Sequence, residues 1–120
     1  MPASADGNAE PAHLAPAAFH ILVSLAGGDR HGYAIMQEVA ERTGGKLKLN
    51  PGTLYTTIKR LLADGFIAEI DERPAADDDD ERRRYYRLTP LGRQAARAET
   101  ARLEGLVSMA RKAGLAPRRA

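Results

Sequence analysis

The stretch Asn50-Pro51-Gly52-Thr53-Leu54-Tyr55-Thr56-Thr57-Ile58-Lys59-Arg60-Leu61-Leu62-Ala63-Asp64-Gly65 is the one from which the rest of the chain can be read. Asn50 followed by Pro51 is a capping residue with proline at the first helical position, and Asp64-Gly65 is a stop. Leu54, Ile58, Leu61 and Leu62 recur at helical spacing, so they turn inward together. The opposite face presents Gly52, Thr53, Thr56, Lys59, Arg60 and Ala63, with Tyr55 at its margin and no carboxylate before Asp64.

That outward face suits a polyanion. Small residues at the N-terminal end allow close approach, hydroxyls and first-turn amides can meet phosphate oxygens, and Lys59 or Arg60 can reach a phosphate or a guanine edge. An ordinary solvated helix face has a similar composition, so the neighbouring segments must decide.

Upstream, Pro16 to Ala26 reads as a helix with Phe19, Leu22, Val23 and Ala26 at helical spacing, ended by Gly27-Gly28. A second helix is expected from His31 to Thr43, with Tyr33, Met36, Val39, Ala40 and Thr43 on one face, and Gly44-Gly45 stops it. Lys46-Leu47-Lys48-Leu49 alternates polar and apolar, the period of a short strand.

Downstream, Phe66–Ile70 and Arg84–Leu88 are β-prone runs joined by a long polar connection, which reads as a hairpin. Arg82, Arg83 and Arg84 open its returning strand, with Arg82 and Arg84 on one side and Arg83 on the other. They can touch a phosphate backbone or pair with Asp71 and Glu72 across the hairpin. Of Tyr85 and Tyr86, alternation buries one and exposes the other. The run Asp77 to Glu81 beside them repels phosphate and lacks the ligand spacing and glycine of a calcium loop, so it reads as a solvated loop.

Thr89-Pro90 then starts a last helix that runs to about Ala113. Leu91, Ala95, Ala98, Leu106, Met109, Ala110 and Ala113 cluster on one side of it, flanked by Leu103 and Val107. This stripe is longer than the preceding domain can cover, which predicts a partner chain. The expected fold is therefore mainly α with a small β-hairpin: a winged helix-turn-helix over 16–88, a dimerisation helix over 89–114, a lead-in over 1–15 and a tail over 115–120.

Composition narrows the function. The 120 residues suit one domain. There is no cysteine, which excludes disulfides and thiolate metal sites, and His13, His20 and His31 share no catalytic or metal-ligand spacing. Neither an enzyme, a cofactor nor a metal is expected. No apolar run could span a membrane and the start lacks the marks of a signal peptide, so a cytoplasmic location is expected. Asp77 to Glu81 supplies five negative charges; without them the formal net charge of +2 becomes +7.

Four segments together resemble the PadR family of transcriptional regulators in its short form with one C-terminal helix. They are His31-Gly32-Tyr33, Pro51-Gly52-Thr53-Leu54-Tyr55, Leu61-Leu62-Ala63-Asp64-Gly65-Phe66-Ile67 and Arg82-Arg83-Arg84-Tyr85-Tyr86-Arg87-Leu88-Thr89, within Phe19 to Arg93. The resemblance implies that Tyr55 and its helix neighbours contact double-stranded DNA, that the wing arginines touch the backbone and that the last helix makes a homodimer. Two positions depart from the family pattern: Thr56-Thr57 follows Tyr55 where Pro-Ala is frequent, and Asp80-Glu81 stands where a glycine is common. Some relatives bind planar drugs between subunits through a tryptophan of the last helix. This chain has no tryptophan and neither Phe19 nor Phe66 lies on that helix, which leaves an effector of other chemistry. The expected function is a dimeric repressor on an inverted repeat; the alternative is a winged-helix protein-interaction module that does not bind DNA.

Overall fold

The structure, a computed structural model, describes residues 14–70 and 84–117. Its elements run α1 (Pro16–Ala26), β1 (Arg30–His31), α2 (Gly32–Arg42), α3 (Pro51–Ala63), β2 (Ile67–Ile70), β3 (Tyr85–Leu88) and α4 (Pro90–Lys112). Most of the lead-in (1–13), the acidic run, Arg82-Arg83 and the end of the tail (118–120) lie outside the described residues.

The capping chemistry places the helices. Asn50 Oδ1 accepts the Thr53 N–H at 2.8 Å, and the Thr89 hydroxyl accepts the Gly92 N–H at 2.9 Å. His31 is the cap of α2 rather than its first residue, its Nδ1 accepting the Ala34 N–H at 3.2 Å. α2, α3 and α4 all end on a left-handed glycine, with φ of 64° at Gly44, 80° at Gly65 and 81° at Gly114. At α3 the Phe66 N–H reaches back to the Leu61 carbonyl and the Gly65 N–H to that of Leu62, which satisfies the last turn.

α1 is the central post, and its buried stripe is Ala18, Ile21, Leu22, Ser24 and Leu25. This corrects the face expected from Phe19, Leu22, Val23 and Ala26: the helix is apolar almost all round, so spacing alone does not choose a side. On α2 the buried residues are Gly32, Ile35 and Val39, whereas Tyr33 points out at 54% exposure. α3 brings Leu54, Ile58 and Leu61 to the same core as expected, while Leu62 is only half-buried at its edge.

The sheet has the order β1-β3-β2, with both pairings antiparallel. β2 and β3 form the expected hairpin, Ile67 opposite Leu88 and Ile70 opposite Tyr85. The third strand is not Lys46–Leu49, as the alternation suggested, but Arg30–His31, which pairs with Tyr86 and Tyr85. The alternation has another origin: Leu49 is buried, Leu47 is half-buried, and the loop is pinned by the Thr43 hydroxyl, which accepts the Leu47 N–H at 3.1 Å. Tyr86 is the buried tyrosine; Tyr85 is half-buried, its ring edge-on to His31 at 5.4 Å.

Candidate nucleic-acid interface

α3 stands on the core with its other side open. Gly52, Thr53, Thr56, Lys59, Arg60 and Ala63 are all exposed, so the whole outward face drawn from the sequence is accessible. Its first turn offers fewer amides than expected. Pro51 has no N–H and Asn50 takes that of Thr53, which leaves the Gly52 amide for an outside acceptor.

Tyr55 is placed differently from its neighbours. It is half-buried against the core, and its ring lies over Gly32 at the start of α2. A Cβ built at Gly32 would fall 3.0 Å from two Tyr55 ring carbons and 2.5 Å from the hydroxyl oxygen. Glycine at position 32 thus leaves room for the Tyr55 ring where α2 and α3 cross, and a larger residue there would push the ring aside.

The wing is held at its root by ion pairs. Arg84 reaches Glu69 across the hairpin at 3.4 Å; Asp71 and Glu72, the partners expected from the sequence, lie outside the described residues. Arg87 grips Asp29 with two nitrogens, the shortest contact 2.8 Å, and this hydrogen bonding holds the Asp29 carboxyl below its usual pKa. Glu38 is bridged by Arg42 and, at 3.8 Å, by Arg30. Much of the arginine charge near the sheet is thus already matched.

Two further cations, Lys46 and Lys48, are exposed just ahead of α3. Their signal in the sequence is the charge pattern: from Thr43 to Ala63 there are four cations and no carboxylate.

α4 runs 23 residues, about 35 Å at 1.5 Å per residue. Its first half docks on the domain through Gly92 and Glu99, with Ala96 packed against the core and Ala95 and Ala98 half-buried. The same side then leaves the domain. Leu103, Leu106, Val107 and Met109 are 36–61% exposed, and Ala110 is half-buried near the helix end. Leu91 is also half-exposed, at the rim of a groove of about 940 Å³ between α1, α3 and α4. Ala18, Phe66 and Ala98 contribute to its apolar lining, and Thr56 and Arg60 of α3 stand at its edge.

Glu99 was not foreseen. It lies within the apolar stripe at 5% exposure, takes a hydrogen bond from Arg102 Nε at 3.1 Å, and accepts the Leu14 N–H at 3.5 Å. A carboxylate can sit there because a neighbouring turn of its own helix neutralises it.

Three helices, a paired hairpin and an open third-helix face define a winged helix-turn-helix protein. The chain matches the Transcriptional regulator PadR-like family over residues 21–98, more than half its length. It is 39% identical over 87 residues to the transcriptional regulator Rv3488 of Mycobacterium tuberculosis, covering 72% of this chain and 75% of that protein. Among solved structures, a transcriptional regulator from Clostridium thermocellum aligns with a TM-score of 0.67 at 27% identity, over 79% of this chain and 89% of that one. A PadR family transcription regulator from Clostridium difficile shares the fold with a TM-score of 0.68 at 23% identity, over 82% and 97% of the two chains. The chain belongs to the PadR-like family of transcriptional regulators, a family of DNA-binding regulators rather than enzymes. Among the described residues no helix is long and apolar enough to cross a membrane.

Proposed function

We propose that the chain is a cytoplasmic homodimeric repressor that reads a short inverted repeat. Residues 16–88 form the DNA-binding domain and 89–114 the dimerisation helix. α3 enters the major groove with Gly52, Thr53, Thr56, Lys59 and Arg60, while Tyr55 contacts DNA from the margin and supports the helix from below. The wing arginines Arg82, Arg83 and Arg84 touch the flanking backbone. The observation that carries the reading is the fully exposed, carboxylate-free face of α3 in a chain of this family.

The uncovered half of α4 supports the dimer. Leu103, Leu106, Val107, Met109 and Ala110, together with Leu91, Ala95 and Ala98, lie on the side of α4 that also holds the paired Glu99 and Arg102, and a second copy would bury it. The groove beside Arg60 is where a small-molecule effector would be accommodated, since α4 offers no aromatic ring for stacking.

The test is selection of bound fragments from the source genome, followed by titration of the selected site with wild type and with Lys59→Ala/Arg60→Ala. The variant should lose sequence preference while staying dimeric. Retained preference overturns the role of α3, and a wild type whose binding ignores salt indicates the protein-interaction module instead.

A further inference from the structure

We infer that Lys46 and Lys48 form a second DNA contact, a pair of phosphate anchors that fixes how α3 seats in the groove; this rests on the DNA-binding reading above. The two lysines project from the loop that leads into α3, and both are exposed while Leu47 and Leu49 between and after them are tucked in. The two lysines alternate with the inward leucines, so both ammonium groups are open to an outside partner.

The segment is held from both ends. The Thr43 hydroxyl takes the Leu47 N–H at 3.1 Å, and Leu49 is 7% exposed in the core. Asn50 then caps α3 directly. The lysines are therefore carried on a fixed shelf beside the N-terminal end of the helix, the end that approaches DNA most closely.

Their charge is available. Among the described residues neither lysine is in an ion pair, whereas Arg30, Arg42, Arg84, Arg87 and Arg102 all are. The nearest acidic residues along the chain are Glu41 on one side and Asp64 on the other, so Lys46, Lys48, Lys59 and Arg60 share one stretch free of negative charge. The ligand chemistry is duplex phosphate rather than base edges. An ammonium on a flexible stem acts as a point charge and reads no sequence.

The experiment compares the full-length wild type, Lys46→Ala/Lys48→Ala and Lys46→Arg/Lys48→Arg on the selected site and on a mixed-sequence duplex, across a range of salt. Each lost phosphate contact should flatten the slope of log affinity against log salt by about one. The advantage of wild type over the alanine pair should therefore shrink about tenfold between ~50 and ~200 mM salt. The loss should be equal on both duplexes, the arginine pair should keep the wild-type slope, and thermal unfolding should match wild type. A steep wild-type slope that the alanine pair shares overturns the anchor alone, and so does a loss confined to the selected site. A flat wild-type slope overturns the DNA-binding reading and the anchor with it.

Discussion

Gly92→Ala should weaken this protein even though alanine is the better helix former. Gly92 lies where α4 meets the root of the hairpin. A Cβ there would sit 2.8 Å from the Phe66 carbonyl carbon, 2.9 Å from Leu88 Cδ1 and closer still to the Phe66 oxygen. Backbone cannot swing aside as a flexible side chain can, so the helix must shift by about 1 Å, an overpacking cost of roughly 1–3 kcal/mol. The shift also disturbs a tight joint. The Thr89 N–H donates to that same Phe66 carbonyl at 3.1 Å, and the Thr89 hydroxyl donates to the Gly65 carbonyl at 2.7 Å. Loss of those bonds adds about 1 kcal/mol each. Against this stands a gain of about 1 kcal/mol in helix propensity. The expected net loss is about 2–4 kcal/mol, which should lower a urea midpoint by roughly 1–2 M at fixed protein concentration. Gly105→Ala is the control on the same helix, since nothing lies within 4 Å of its Cβ position. It should gain up to about 1 kcal/mol. If both variants shift the midpoint upward together, the close approach at Gly92 is not a constraint.

Leu106→Glu should dissociate the proposed homodimer without unfolding the monomer, because Leu106 is 46% exposed in the single chain; sedimentation showing a dimeric variant would refute the interface. Tyr55→Phe should leave stability within about 1 kcal/mol, while Tyr55→Ala should cost about 2 kcal/mol by unpacking the ring from Gly32; equal unfolding midpoints for the two would contradict the packing role. Arg87→Ala should cost under about 1 kcal/mol at neutral pH, as expected for an exposed pair. Asp29 has a lowered pKa in the fold, so the pair's contribution is present above the unfolded value of 3.8 and is lost as pH falls through the lower folded one. Wild type and variant should therefore converge once pH has fallen through that lower folded value, and a gap persisting in acid would contradict the assignment.

The helices were legible because their ends are chemically explicit. Asn50-Pro51 and Thr89-Pro90 open helices where expected, and the glycine stops at 44, 65 and 114 carry the left-handed turns they suggested. The third strand was not legible, because two residues, Arg30 and His31, are too few to show a period. Lys46–Leu49 showed a true alternation but had no neighbour to pair with; the leucines anchor a loop. On α1 the apolar surplus hid the buried side, and on α4 Glu99 broke the rule that polar residues face water because Arg102 is within reach. The outward face of α3 was read correctly as a surface. The Tyr55 ring lies over Gly32, a residue in another helix, and no local pattern encodes that contact.

The joint at Gly92 also divides the chain by what change it can tolerate. Before it, one added carbon collides with main chain, so the head and the start of α4 must vary together or not at all. Beyond Glu99 the apolar side chains Leu103, Leu106, Val107 and Met109 are largely uncovered by their own domain. Substitutions from Leu103 to Met109 should therefore alter the proposed self-association while the head that presents α3 stays as it is.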